Sequence, residues 1–281
     1  MWHRSTPETC NPEASAKLNR GEFSAVVVAP TFNNAGTLLE LLCGVHALGL
    51  PIIVVDDGSS DATREILDRW QGEVSQGAGR VGVVRHLRNR GKGAALLSGF
   101  AAAVADGHSH AVTIDTDGQL DPADIPMLLA AARRAPTALI LGVRSERIAG
   151  CPSRCLLGRR LSNLAVCCEC GVRVTDSQCG LRVYPLDMVV GERAARWKSG
   201  RFAFETEAIV RAGWAGRPIE QVGIDCRYLP RETRVSHFKP FRDSLRGVGL
   251  HALLLGSALL PWTGRRGKAA EAGALRLRGS T

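Results

Sequence analysis

Short apolar segments alternate with amphipathic segments through the first half of the chain. The apolar segments are rich in aliphatic residues and have the length of strands; they cover 24–29, 52–55, 81–84, 111–114 and 137–141. Segments with apolar residues at helical spacing lie between them, at 36–43, 62–70, 93–105 and 122–134. Strands that are apolar on both faces and alternate with helices predict an α/β domain with a mostly parallel central sheet and helices on both faces.

The pattern changes after Gly142. A stretch rich in arginine and cysteine extends to Gly171, and 156–166 within it is interpreted as a helix. A loop-like segment follows at 176–182, and it precedes a helix near 204–212 and a strand near 219–228. We expect this second half to complete the domain that the first half begins.

The composition is that of one ordinary globular protein, with 281 residues, 45% hydrophobic and 22% charged. No stretch approaches the roughly 20 apolar residues of a membrane-spanning helix. The polar segment 1–22 lacks the apolar run of a secretory signal, so we expect a disordered leader and a cytoplasmic protein. In that reducing compartment the nine cysteines are expected to be thiols. A zinc site within 151–170 is the alternative, although the spacing differs from paired Cys-x2-Cys motifs.

The net charge of +9 suits an anionic partner such as nucleic acid, lipid headgroups or a phosphorylated small molecule. Nucleic acid is the partner we exclude, because aromatic residues make up only 5% of the chain and no binding motif occurs. An apolar segment at 248–262, flanked by arginines, is too short to span a membrane. We expect a C-terminal helix at 239–263, either at an anionic membrane surface or packed on the core, and a basic disordered tail at 264–281.

Two acidic residues follow the fourth apolar strand directly. Asp115 and Asp117 therefore lie in the crevice at the carboxyl edge of the predicted sheet, where α/β proteins bind ligands. Carboxylates are ligands for Mg²⁺ or Mn²⁺, and Gln119 can add a neutral oxygen. Such an ion neutralises the developing charge of a nucleotide diphosphate leaving group. Taken alone, this motif also fits an acidic turn.

Three other strand ends point to the same crevice. They carry Pro30, Thr31 and Asn33 after the first strand, Asp56 and Asp57 after the second, and Lys92 within the basic segment 88–93 after the third. A carboxylate after the second strand can accept hydrogen bonds from a base or a ribose, and the basic segment before a helix suits a phosphate. Turn formation and helix capping are the alternatives for each motif alone.

Four motifs together resemble those of the family 2 glycosyltransferases, and most closely the dolichyl and polyprenyl phosphate sugar synthases. They read Ala-Pro-Thr-Phe-Asn at 29–33, Val-Asp-Asp-Gly-Ser-Ser-Asp-Ala-Thr at 55–63, Asn-Arg-Gly-Lys-Gly at 89–93 and Ile-Asp-Thr-Asp-Gly-Gln at 114–119. The resemblance covers roughly 24–237. It implies a GT-A fold and an inverting transfer from a UDP- or GDP-sugar with Mg²⁺ or Mn²⁺. The implied domain is 23–238, with a donor half at 23–145 and an acceptor half at 146–238.

The resemblance also implies roles for individual residues. Pro30, Thr31, Asn33 and Asp57 would contact the nucleoside, and Asp115, Asp117 and Gln119 would hold the metal and the diphosphate. Arg182, in the segment 176–182, would face a phosphate on the acceptor side. Glu205 and Glu207 would lie beside the acceptor, and Arg234, Ser236 and His237 belong to a late basic loop that would close over the diphosphate.

The identity of the acceptor decides how much proton transfer the reaction needs. A lipid phosphate is already an anionic nucleophile, whereas a hydroxyl of a glycan, lipid or small molecule needs a base, for which Glu205 or Glu207 is the candidate. We expect a phosphorylated lipid acceptor and a peripheral position on the inner face of the membrane. A non-catalytic nucleotide-sugar-binding protein is the alternative from another class. A nucleotidyltransferase fits less well, because no glycine-rich basic loop follows the first strand.

Overall fold

A seven-stranded sheet forms the centre of the protein. The computed structural model describes residues 22–74, 81–144, 153–190 and 203–227, together with Gly249, His251, Leu254 and Gly256. The strands are β1 (Ala25–Thr31), β2 (Ile52–Asp56), β3 (Val81–Arg85), β4 (His110–Thr113), β5 (Leu139–Arg144), β6 (Arg182–Pro185) and β7 (Ile219–Ile224). Their order across the sheet is β3-β2-β1-β4-β6-β5-β7.

Most neighbouring strands run parallel, as the sequence predicts. β1 pairs in parallel with β2 and β4, β2 with β3, and β5 with β7. The exception is β6, which lies between β4 and β5 and is antiparallel to both. The prediction of a loop at 176–182 gave no sign of this strand, because its four residues, Arg-Val-Tyr-Pro, are too few to show a strand pattern.

Helices cover both faces of the sheet. They are α1 (Ala35–Ala47), α2 (Thr63–Val74), α3 (Lys92–Ala105), α4 (Ile125–Arg134), α5 (Ser153–Cys170), α6 (Leu186–Val189) and α7 (Ala203–Trp214). Alternate residues of β1 face opposite sides: Val26 and Val28 pack with α3, α5, α6 and α7, whereas Val27 and Ala29 pack with α1, α2 and α4. The predicted α/β class with helices on both faces is therefore confirmed.

Three aromatic side chains join the second half of the chain to the first. Phe100 on α3 lies 5.2 Å from Tyr184 on β6 and 6.2 Å from Phe204 on α7, measured between ring centroids. All three side chains are fully buried. Burial of rings this large, at distances typical of favourable aromatic pairs, stabilises the contact of α7 with α3. The beginnings of α3 and α7 also lie close together, since Lys92 Nζ is 3.0 Å from Glu205 Oε1.

Two of the described residues of the C-terminal apolar segment, His251 and Leu254, contact the domain. Leu254 is buried in the core cluster that contains α5 and α7, and His251 Nδ1 lies 2.8 Å from Glu169 Oε1. No helix within the described ranges combines the length and the apolar character needed to cross a membrane. The predicted leader at 1–22 falls outside the described residues except for Glu22, and the tail at 264–281 lies wholly outside them.

Candidate active site

The carboxyl ends of four adjacent parallel strands, β3, β2, β1 and β4, lie along one edge of the sheet. Thr31 at the end of β1 is in register with Asp56 at the end of β2, and Asp115 follows the end of β4. Because parallel strands bring their carboxyl ends to one side, the strand-end residues predicted from the sequence share one crevice.

The loops of this crevice are tied to one another by hydrogen bonds. Thr116 Oγ1 donates to the Pro30 carbonyl at 3.1 Å and accepts from the Asn34 amide at 2.8 Å. The Thr116 carbonyl accepts from the hydroxyl of Thr37 at 2.6 Å. The turn that carries the acidic pair 115 and 117 is therefore fixed against the loop that follows β1.

Asn33 connects the loops after β1 and β2. Its φ of 52° lies in the left-handed region, which asparagine tolerates better than most residues. Its side-chain oxygen accepts from the Ser60 N–H at 2.8 Å, and its own N–H donates to the Ser59 hydroxyl at 3.0 Å. Asn33 thus shapes the rim of the crevice.

Three buried oxygens at this edge have no hydrogen-bond partner among the described residues: Thr31 Oγ1, Asn34 Oδ1 and Asp56 Oδ2. The other carboxylate oxygen of Asp56 accepts from the Ser59 N–H at 2.9 Å. Buried polar atoms are nearly always paired in folded proteins, so these three oxygens have hydrogen-bonding capacity left for water or for a bound polar group.

Asp57 has a different environment from its neighbour Asp56. Its carboxylate accepts hydrogen bonds from the backbone N–H groups of Arg90 and Gly91 at 2.9 and 2.7 Å. His86 Nδ1 lies 2.6 Å from Oδ1 of the same carboxylate, and His86 Nε2 lies 2.9 Å from the Ser98 hydroxyl. The contact of Asp57 with the nucleoside that the resemblance implied stays a prediction; in the structure its carboxylate is engaged internally and holds the loop that leads into α3.

Lys92, the first residue of α3, lies between two carboxylates. Its Nζ is 2.6 Å from Asp115 Oδ1 and 3.0 Å from Glu205 Oε1. Burial lowers the pKa of Lys92, but the two carboxylates outweigh that effect and raise it above its ordinary value. Burial raises the pKa of Glu205, against the opposing influence of Lys92 and Arg182. The ammonium group therefore remains charged and offsets part of the negative charge of the two carboxylates.

Asp117 and Gln119 form a pair of their own. Asp117 accepts from the Gln119 backbone N–H at 3.1 Å and from its side-chain amide at 2.9 Å. In this arrangement Gln119 orients Asp117, whereas the sequence predicts that Gln119 adds an oxygen ligand.

Asp115 and Asp117 fit a divalent cation by their chemistry. No group of three or more histidine, cysteine or acidic side chains suited to a metal occurs in the described part of the chain. Mg²⁺ and Mn²⁺ sites that serve phosphate chemistry often use one or two carboxylates and complete the shell with water and phosphate oxygens. In the structure the ammonium group of Lys92 already contacts the Asp115 carboxylate, so a positive charge lies at this position.

Comparison with known proteins identifies the family. The sequence profile of glycosyl transferase family 2 matches residues 26–154. An uncharacterised protein of Methanocaldococcus jannaschii is 30% identical over 219 residues, which cover 75% of this chain and 84% of that protein. The chain belongs to glycosyltransferase family 2.

Other relatives of this glycosyltransferase have assigned names. The undecaprenyl-phosphate 4-deoxy-4-formamido-L-arabinose transferase of Pseudomonas aeruginosa is 34% identical over 179 residues, which cover 62% of this chain and 50% of that protein. The match thus spans about half the length of that relative.

Solved structures confirm that the enzyme has the GT-A fold. Glucosyl-3-phosphoglycerate synthase from Mycobacterium tuberculosis, crystallised with UDP, matches 94% of this chain and 88% of that chain with a TM-score of 0.57 and 20% identity. TarS of S. aureus, crystallised with UDP-GlcNAc, matches 85% of this chain and 68% of that chain with a TM-score of 0.55 and 15% identity.

Arg182 of the glycosyltransferase has no exposed surface. Its guanidinium donates to the backbone carbonyls of Cys179 and Glu205, each at 2.7 Å, and of Ser177 at 2.8 Å. The expectation that Arg182 faces an acceptor phosphate is therefore corrected: the side chain connects the 177–179 loop to the beginning of α7. Through the Glu205 carbonyl it helps to fix the backbone of that residue.

Glu207 of the enzyme is buried in an ion pair with Arg211 one turn along α7, with Oε1 2.6 Å from the guanidinium. Of the two acidic residues predicted beside the acceptor, Glu205 is the one in contact with Lys92 at the crevice. The predicted basic-loop residues Arg234, Ser236 and His237 lie outside the described residues.

Two residues of this site were not singled out from the sequence. His86 directly follows β3 and therefore lies at the same edge of the sheet as the other strand-end residues. Arg144 forms a two-pronged ion pair with buried Asp176, through Nε at 2.8 Å and a second nitrogen at 3.0 Å. No sequence signal for this pair was available, because the two residues are 32 positions apart.

The cysteines that the structure describes in 153–170 do not form a zinc site. Cys167 Sγ accepts from the Val174 N–H at 3.1 Å, and Cys170 Sγ lies 3.4 Å from the Val172 carbonyl. The side chains of Cys151 and Cys155 lie outside the described set, so the zinc alternative stays an untested prediction.

Proposed function

We propose that this glycosyltransferase moves one sugar from a UDP- or GDP-sugar to a polyprenyl or dolichyl phosphate, or to a similar acceptor presented at a membrane, with inversion at the anomeric carbon. A nucleotide-sugar donor is supported by the position of Asp115 and Asp117 in the crevice where four parallel strands end. A polyprenyl phosphate acceptor is supported by the name of the Pseudomonas aeruginosa relative, an undecaprenyl-phosphate sugar transferase.

The nucleoside would lie against the ends of β1 and β2. The unpaired oxygens of Thr31, Asn34 and Asp56 are the polar groups available there, and Asn33 shapes the rim. The proposal therefore assigns Asp56, instead of Asp57, to the donor. Structures of the same fold with UDP or UDP-GlcNAc bound support a nucleotide donor for this crevice.

Asp115 and Asp117 would hold the divalent cation. Mg²⁺ or Mn²⁺ bound to such a pair supplies positive charge to the departing diphosphate. A structure of the M. tuberculosis synthase contains Mn²⁺ together with UDP and phosphoglyceric acid, which supports this cofactor. Gln119 would act on the site by orienting Asp117.

The charges beside the acceptor position favour an anionic nucleophile. Glu205 is engaged by Lys92 and Glu207 by Arg211, so neither carboxylate is arranged chiefly to receive a proton. A phosphate acceptor needs no base, whereas a hydroxyl acceptor would require Glu205 to leave Lys92. We place the reaction at the cytoplasmic face of a membrane, where the positive net charge would favour anionic lipids.

The test is a transfer assay with UDP- and GDP-sugars, chosen by the thermal stabilisation that each gives with Mn²⁺. Undecaprenyl phosphate is compared with undecaprenol, which offers the same chain with a hydroxyl. We expect transfer to the phosphate alone, lost with EDTA and reduced at least about 100-fold in Asp115→Asn and Asp117→Asn. Asp106→Asn, an exposed carboxylate next to the far end of α3, serves as the matched control.

Each contrary outcome bears on a distinct part of the proposal. Full activity of Asp115→Asn or Asp117→Asn would remove the metal assignment. Transfer to undecaprenol at an equal rate would favour the hydroxyl acceptor. Donor binding without hydrolysis or transfer to any acceptor would favour a nucleotide-sugar-binding protein.

A further inference from the structure

The contact of Lys92 with Asp115 places a positive charge on a residue proposed to hold the metal. Lys92 Nζ is 2.6 Å from Asp115 Oδ1, and the lysine side chain is only 13% exposed. The same nitrogen is 3.0 Å from Glu205 Oε1, which is 6% exposed. One ammonium group thus contacts two carboxylates at once, of which one belongs to the proposed metal site.

We propose that Lys92 is the resident counter-ion of Asp115 in the metal-free enzyme, and that it withdraws onto Glu205 when a divalent cation binds. Lys92 then opposes metal binding, and Glu205 assists it by keeping the displaced ammonium. This inference rests on the metal site of the proposed function and adds two positioning residues to it.

Asp115 and Glu205 are both held in place. A Cβ atom on Gly180 would lie 2.3 Å from Asp115 Oδ2, so the Asp115 carboxylate lies directly against the backbone at that residue. The Glu205 backbone is fixed because its carbonyl accepts from the buried guanidinium of Arg182 at 2.7 Å. Lysine has a flexible four-carbon side chain, so Lys92 is the group that can move.

Charge explains why Lys92 has to move. A divalent cation on Asp115 would replace the short hydrogen bond from the ammonium and would repel it at close range in a mostly buried site. Without a second partner, the displaced ammonium would be left buried and unpaired, which is costly. Glu205 provides that partner without requiring a change in the backbone.

The experiment measures Mn²⁺ affinity without any sugar donor, by calorimetry and by the electron paramagnetic resonance signal of free Mn²⁺. We expect Lys92→Met to bind Mn²⁺ roughly ten-fold more tightly than the wild type, because the competing cation is gone. We expect Glu205→Gln to bind it several-fold more weakly. Arg217→Met is the control, because it removes one positive charge from a surface ion pair with Asp187.

The double variant, Lys92→Met with Glu205→Gln, tests whether Glu205 acts by receiving the displaced Lys92 ammonium or only through its own negative charge. If Glu205 acts by receiving Lys92, Glu205→Gln has no effect on Mn²⁺ affinity in the Lys92→Met background. An equal weakening in both backgrounds would mean that Glu205 acts only through its charge, and would overturn the proposal. A Lys92→Met affinity at or below the wild-type value would also overturn it.

The same measurements distinguish failure of the proposed metal site from failure of the inference about Lys92. Absence of Mn²⁺ binding in the wild type and in Lys92→Met, even with UDP, would remove the metal site and the inference together. Mn²⁺ binding by the wild type with no gain in Lys92→Met would remove the inference alone. Circular dichroism and thermal unfolding of each variant establish that the measured protein is folded.

Discussion

The carboxylate of Asp57 accepts a hydrogen bond from the backbone N–H of Gly91 at 2.7 Å, one residue before α3 begins at Lys92. The N-cap position of α3 is Gly91, which has no side chain that could cap the helix. Asp57, which follows the last residue of β2, therefore supplies the acceptor that fixes the chain entering the helix. Its effect on the reaction would be indirect, through the position of Lys92.

Substitution of Asp57 by asparagine separates this role from nucleoside binding. The asparagine amide would direct an NH₂ group at donors that now meet carboxylate oxygens, so we expect a loss of about 2–3 kcal/mol in the free energy of unfolding. We also expect a lower kcat, with the dissociation constant for UDP changed less than about three-fold. Urea unfolding, steady-state kinetics and calorimetry with UDP are the measurements. Unchanged stability combined with much weaker UDP binding would restore Asp57 to the nucleoside.

Arg182 offers a second stability test. Three backbone carbonyls accept from its fully buried guanidinium, so Arg182→Met should cost about 3–5 kcal/mol of unfolding free energy. Lysine keeps the charge but cannot match the geometry of the guanidinium. Arg182→Lys should therefore lose less unfolding free energy than Arg182→Met. Urea unfolding gives both values. Native stability of Arg182→Met together with a raised KM for the phosphate acceptor would show that the side chain serves the substrate.

The sequence was sufficient to place the crevice, because alternating strands and helices force parallel strand ends to one edge. It could not decide between Asp56 and Asp57. Successive residues at a strand end point in opposite directions, and only the return of the 86–91 loop shows which carboxylate is engaged internally.

The position of Arg182 was unpredictable for a different reason. It begins β6, a four-residue strand that enters the sheet between β4 and β5 against the direction of both. Nothing local in such a short segment indicates that its first side chain will be buried. The contact of Lys92 with Glu205 likewise joins residues 113 positions apart and depends on the packing of α7 on α3.

Gly180 provides a test of how closely Asp115 must be positioned. A Cβ atom there would lie 2.3 Å from Asp115 Oδ2, and the backbone φ of Gly180 does not require glycine. Gly180→Ala should therefore displace the Asp115 carboxylate without backbone strain, and we expect Mn²⁺ affinity and kcat to fall roughly ten-fold or more. The same assays on Gly72→Ala provide the control, because nothing lies within 4 Å of a Cβ at that helical position. Equal Mn²⁺ affinity in both variants would show that Asp115 is not a metal ligand or that it tolerates displacement.

The buried ion pair between Asp176 and Arg144 predicts a specific dependence of stability on pH. Burial alone would raise the pKa of Asp176, but hydrogen bonds and the charge of Arg144 lower it below its ordinary value of 3.8. The unfolded chain therefore takes up a proton at a higher pH than the folded protein. The stabilisation is complete above the unfolded value and is lost as the pH falls through 3.8 towards the folded value.

Substitution of Asp176 by asparagine should reveal this contribution. At pH 7 we expect Asp176→Asn to be less stable by about 3 kcal/mol, because the Arg144 guanidinium is left buried without its counter-charge. The difference from the wild type should shrink as the pH is lowered from 5 to about 3, because Asp176 of the unfolded wild type then takes up a proton and the stabilisation from its charge is lost. Urea unfolding across this range measures the difference, with Asp106→Asn as an exposed control that should show no such convergence. A gap that stays constant down to pH 3 would mean that the charge of Asp176 does not stabilise the fold.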